Sequence, residues 1–199
     1  MSSIRLSAIE RTRLVRRGFW LEYVTLGWNV VGVVVLAITA VAARSVALAG
    51  FGLDSLIEIG ASAVVIWELS DADQARRHLA LRLIGAAFCS LAVYLALQAT
   101  WVLVVGHHAG HSPGGIAWTG VTAGVMFALA AGKARTGAAL DNPVLRAEGR
   151  VTLIDGILAT AVLLGLVANA ALGWWWADPL AGYVLVYYAI REAGTIFTY

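Results

Sequence analysis

The residues of this sequence whose placement calls for a chemical explanation are acidic. Glu22, Asp54, Glu58 and Asp155 fall within or beside long apolar runs. On insertion scales a charge at the centre of a bilayer costs at least about 2.5–3.5 kcal/mol, so an acid held there marks an ion or proton pathway by default. Asp54 and Glu58 stand at i and i+4, which on a helix stacks them on one face, one turn apart. Two anions so placed repel unless a cation lies between them or one carries a proton. The plainer reading is an interhelical hydrogen bond from protonated acids.

The segment around this pair recurs. Asp54-Ser55-Leu56-Ile57-Glu58 matches Val151-Thr152-Leu153-Ile154-Asp155, and Gly52 matches Gly149. Both copies place an acid at the same repeat position, Glu58 in one and Asp155 in the other. Val151 stands where the second copy would repeat Asp54. Glu148 lies two helical turns before Asp155 on nearly the same face. It is a candidate further ligand or the next stop on the cytoplasmic side. The alternative is a solvated helix start paired with Arg146 or Arg150.

Helices must position these acids. A spanning helix needs roughly 20 mainly apolar residues, and six stretches qualify: Phe19–Ala43, Val46–Leu69, Leu83–Gly106, Ile116–Gly132, Val151–Leu172 and Trp174–Ile190. Between them lie a tight hairpin at Ala43-Arg44-Ser45, polar loops over Ser70–Arg82 and Lys133–Arg150, and a His-, Gly- and Pro-containing loop over His107–Gly115. Short loops rich in Lys and Arg stay in the cytoplasm. With the N-terminus inside, all of the 14 basic residues except Arg44 fall on the cytoplasmic side. The expected fold is an all-α integral membrane protein with six transmembrane helices and cytoplasmic N- and C-termini, set in the cell membrane. It divides into a basic N-terminal segment (1–18), a six-helix transporter domain (19–191) and a short cytoplasmic tail (192–199). In that topology the second and fifth spans run in opposite directions. This is the arrangement of transporters built from inverted repeats, with the site where the halves meet.

Composition agrees. The 199 residues are 60% hydrophobic and 13% charged, with a mean hydropathy of +0.81. Soluble domains are about 45–50% apolar and about 25% charged. A net charge of +2 gives no basis for binding nucleic acid. The single cysteine, Cys89, excludes an intrachain disulfide and a cysteine cage, and reads as a small buried hydrophobe. The first apolar run is about twice too long for a signal-peptide core.

Further candidates are accessory. Glu22 sits one turn into the first span; it lines the cytoplasmic mouth or, as the favoured reading, pairs with Arg16 or Arg17. His107, His108 and His111 share one outer loop, a composition suited to metal capture or release. No Ser–His or His-Glu-x-x-His arrangement lies within a span, so the sequence does not read as an enzyme.

The stretch Ser45-Val46-Ala47-Leu48-Ala49-Gly50-Phe51-Gly52-Leu53-Asp54-Ser55-Leu56-Ile57-Glu58 resembles the second span of the cation diffusion facilitator family. That span opens with a Ser-x-Ala-Leu phrase and carries an Asp-x-x-x-Asp metal pair. Arg146-Ala147-Glu148 through Asp155 resembles the start of the family's fifth span, and Ala177-Asp178-Pro179-Leu180 the phrase opening its sixth. The resemblance covers residues 15 to 195, the membrane portion without the family's cytoplasmic metal-binding domain. Glu58 replaces the usual Asp, Val151 stands where the family has His or Asp, and the Gly-His-Gly-Lys-like phrase after the second span is missing. The resemblance implies a homodimeric exporter that exchanges a divalent ion for protons, with Asp54, Glu58 and Asp155 as ligands; on spacing, Glu148 or water would complete the shell. The metal is substrate rather than cofactor: zinc first through the family, with manganese, iron(II) and cobalt behind, since an all-oxygen site favours harder ions. Two rivals remain open. A carrier of small organic cations would use an aromatic lining, for which Trp20, Tyr23 and Trp28 are candidates. A non-transporting scaffold would tolerate loss of all three acids.

Overall fold

The computed structural model describes residues 8–43, 45–70, 74–106, 112–176 and, in the last stretch, 183, 186, 187, 189–191 and 193–196. It contains five long helices: α1 (Ala8–Ala43), α2 (Val46–Ser70), α3 (Gln74–Val105), α4 (Pro113–Ala139) and α5 (Pro143–Leu172). No strand occurs among the described residues. All five are long and apolar enough to cross a bilayer, and the chain is a multi-pass membrane protein. The expected sixth span, Trp174–Ile190, with its Ala177–Leu180 phrase, falls largely outside the described residues. The described positions from 183 to 196 are helical. Ala189, Ala193 and Ile196 are buried in the common core, and the Tyr183 and Thr100 hydroxyls meet at 2.7 Å.

Helix boundaries follow local capping chemistry. Ser45 Oγ accepts from the Leu48 amide to open α2, and Ser112 Oγ accepts from Gly115 with Pro113 at the first turn of α4. Asn142 Oδ1 accepts from the Val144 and Leu145 amides at the start of α5. Such caps satisfy amides that have no intrahelical partner. Gly173, at φ 71°, ends α5 in the left-handed conformation that glycine adopts without strain.

Three expected boundaries are corrected. The loop expected over Lys133–Arg150 is a helical hairpin, because α4 continues to Ala139 and α5 begins at Pro143. Nothing between Lys133 and Ala139 breaks a helix; the stop comes from Asp141, at φ 49°, and the Asn142 cap. α3 starts at Gln74, inside the polar loop expected over Ser70–Arg82. The basic segment before the first span is helical from Ala8 and continuous with α1, giving 36 residues and a length of about 54 Å, well beyond a ~30 Å hydrocarbon layer. Cys89 is exposed on α3 rather than buried.

The helices form two antiparallel pairs, α1 with α2 and α4 with α5, joined by contacts of α1 with α4 and α2 with α5, while α3 packs on α2 and α5. Lipid is as apolar as leucine, so in a bilayer close packing and polar contacts, rather than hydrophobic burial, hold helices together. The buried face of α1 is accordingly small and polar: Gly18, Glu22, Thr25, Asn29 and Gly32, with Leu21, Leu36 and Ala40. Large apolar side chains such as Val34, Val41, Val93, Leu97 and Leu164 face outward.

Candidate functional site

Glu22, Asp54, Glu58, Glu148 and Asp155 are all buried in the bundle. They lie along the contact of α2 with α5, with Glu22 reaching in from α1. The two helices are antiparallel there. Glu58 meets Thr152, Ser62 meets Glu148 and Glu68 meets Asn142, so α5 positions fall as α2 positions rise. This is the opposed orientation that the Asp54–Glu58 and Val151–Asp155 repeat implies.

At the inner tier the structure supplies a partner that the sequence reading had placed in a loop. Lys133 lies on α4 and is completely buried. Its Nζ forms an ion pair with Glu148 and stands 3.2 Å from Glu22 Oε2. It also donates to the Thr152 hydroxyl at 3.0 Å. Thr152 in turn donates to Glu58 Oε1 at 2.7 Å, and Ser62 donates to Glu148 Oε1 at 3.4 Å. Lys133 reaches this position because the α4 backbone passes close to Gly149. A side chain there would stand 3.1 Å from Lys133 Cβ and 3.2 Å from the Ala134 nitrogen. The glycine of the second repeat copy thus has a packing reason. The pairing favoured for Glu22, with Arg16 or Arg17, is replaced by Lys133; both arginines are exposed on other faces of α1. Glu148 is a buried ion-pair partner rather than a solvated helix start, and Arg146 pairs instead with exposed Asp141 at 3.3 Å.

The outer tier differs. The Asp54 and Asp155 carboxyl groups lie within hydrogen-bonding reach of each other, and Asp155 also acts electrostatically on Glu58. Asp54 Oδ2 and both Asp155 oxygens accept no hydrogen bond among the described residues. Two carboxyl groups in contact with no donor between them are stable only when they share a proton or a cation. Glu58 is turned toward Thr152, so the three carboxyl groups line a seam rather than close a cage. Among the described residues no three His, Cys, Asp or Glu side chains form a ready-made metal cluster.

Other candidates separate from this seam. Trp20 and Tyr23 are exposed on α1, 63% and 59% accessible, on the face away from the acids. Trp28 stacks on Trp118, ring centres 5.0 Å apart, and donates to Thr122. Trp20, Tyr23 and Trp28 therefore do not gather around the acids. His107, His108 and His111 lie outside the described residues. Asn29 donates to the Thr25 carbonyl within its own helix.

At one end the seam closes with Asn142 donating to Glu68 Oε2 at 3.0 Å. Toward the start of α2 and the end of α5 the buried residues turn apolar, with Leu48, Phe51, Leu158, Val162 and Leu166.

No family model matches the chain. It is similar to transmembrane protein 163 of Xenopus laevis, 23% identical over 202 residues that cover 96% of this chain and 71% of that protein.

Proposed function

We propose that this protein carries a divalent metal cation across the membrane, with the cargo bound between Asp54, Glu58 and Asp155. The observation that carries this reading is the Asp54–Asp155 contact, buried in a bundle of membrane-length helices, with three carboxyl oxygens accepting no hydrogen bond. Six buried acids, Glu68 at its end included, line the seam and one buried lysine accompanies them, so the seam has carboxylates to spare for a dication. Turning Glu58 from Thr152 toward Asp155 completes a three-carboxylate set, and water fills the remaining position. Glu148 is engaged by Lys133 and is not assigned as a ligand.

Zinc is the first cargo on the family resemblance, and manganese, iron(II) and cobalt suit the all-oxygen donors. A proton shared by the paired carboxyls leaves when the metal arrives and returns when it departs, which gives proton-coupled efflux. The basic-residue asymmetry favours six spans with both termini in the cytoplasm. The polar half of the seam, ending at Glu68 and Asn142, then faces inward, and the apolar half closes the outward side. The family resemblance adds a homodimer in the cell membrane. The outward positions of Trp20 and Tyr23 weigh against the organic-cation carrier.

Proteoliposomes containing the full chain and a zinc-sensitive dye, with internal pH recorded, test the reading. Asp54→Asn is expected to abolish zinc flux and the accompanying proton movement. Wild-type flux in that variant removes the site assignment.

A further inference from the structure

We infer that Lys133 is a tethered cation that permanently occupies a second, inner metal position and so limits the load to one dication per chain. This deepens the transport reading above and rests on it. The argument starts from the ammonium group, which has three donors and no acceptor. The structure gives it three oxygen partners from two other helices: Glu22 of α1, and Glu148 and Thr152 of α5. Glu58 of α2 joins through the Thr152 hydroxyl. Oxygens converging from separate helices on one buried point are the donor set that a hard cation takes. Here the point is held by a nitrogen covalently attached to α4. Glu22 and Glu148 are thereby engaged by one fixed positive charge, and the outer tier alone is left to take cargo.

An uncharged side chain of similar length removes the tethered ion and leaves Glu22 and Glu148 facing a vacated position. Zinc alone is the probe, measured by calorimetry and equilibrium dialysis on the full chain in lipid nanodiscs. The wild type is expected to bind one zinc per chain and Lys133→Met two. Lys133→Arg, which keeps the charge, is expected to stay at one. Lys133→Met combined with Glu22→Gln has the wild-type net charge and is expected to return to one. A folded Lys133→Met that binds a single zinc overturns the inference. Should that variant fail to fold, Lys133→Gln, uncharged but still able to hydrogen-bond, decides: two zincs per chain uphold the inference, and one overturns it. Asp54→Asn combined with Asp155→Asn, measured alongside, separates the two readings. Unchanged zinc binding in that variant defeats the transport reading. Its loss, together with one zinc in Lys133→Met, defeats only the role of Lys133.

Discussion

At Glu148 the seam between α2 and α5 carries its own cation, whereas about two turns further along α5, at Asp155, two carboxyl groups face each other with no donor. The inner tier has the composition of a buried salt-bridge network: one lysine, two glutamates and hydroxyls from Thr152 and Ser62. The outer tier has the same kind of acid and the same burial but lacks the lysine. A buried charge is tolerated only when paired and hydrogen-bonded: the inner tier carries its own counter-charge on Lys133, though both Glu22 oxygens and the second Glu148 oxygen accept no hydrogen bond, whereas the outer tier has no cation beside it among the described residues. On the proposed function, the contrast separates acids that hold the bundle together from acids that bind cargo, a distinction burial alone does not make.

The largest test of that contrast is Lys133→Met. Removing one partner of a buried ion pair typically costs about 3–5 kcal/mol, and thermal unfolding in detergent without metal should show a loss of that size. A loss below about 1 kcal/mol would mean that the inner tier is not a structural network. Asp155→Asn should do the reverse, leaving metal-free stability intact while weakening zinc binding about 100-fold. That is a quarter share of the roughly 10–16 kcal/mol that four-ligand zinc sites provide. Calorimetry on the folded variant checks it, and wild-type affinity would place the cargo elsewhere. Asn142→Ala removes both the α5 cap and the hydrogen bond to Glu68, and should lower stability by about 2 kcal/mol with zinc affinity unchanged. Coupled changes in both would show that the end of the seam and the outer tier act as one unit. Thr152→Val has the smallest expected effect. It releases Glu58 from its hydroxyl donor and should tighten zinc binding about tenfold, the worth of one hydrogen bond to a charged acceptor. Weaker binding would show that Glu58 meets the metal through Thr152 rather than by turning away from it.

Much of the site was legible because acids in apolar runs are conspicuous. Asp54, Glu58 and Asp155 stand out on hydropathy alone, and the inverted repeat points to opposed helices meeting at those positions. Lys133 was missed for the converse reason. A lysine at the end of an apolar run, followed by Arg135, looks like the first residue of a loop, and hydropathy ends the span there. The signals that locate it were present. Residues 133–139 contain no proline, the turn chemistry waits until Asp141-Asn142-Pro143, and Gly149 marks a close helix approach. Glu22 was paired with neighbours in sequence because its true partner comes from another helix, which spacing along one helix does not reveal. The rest of the fold follows from span lengths and caps. The exceptions are the extensions of α1, α3, α4 and α5 past the apolar limit, where charged residues, most of them exposed and Lys133 buried, hide the continuing helix.

The Lys133 network also bears on how the protein enters the membrane. Glu22 is synthesised long before Lys133, and Glu148 afterwards, each on a separate helix. None of α1, α4 or α5 can settle alone at its final depth without burying an uncompensated charge. Each helix inserted separately bears the cost of its own charge, or of neutralising it, until the three meet. The network thus ties the depth of three separate segments to one another.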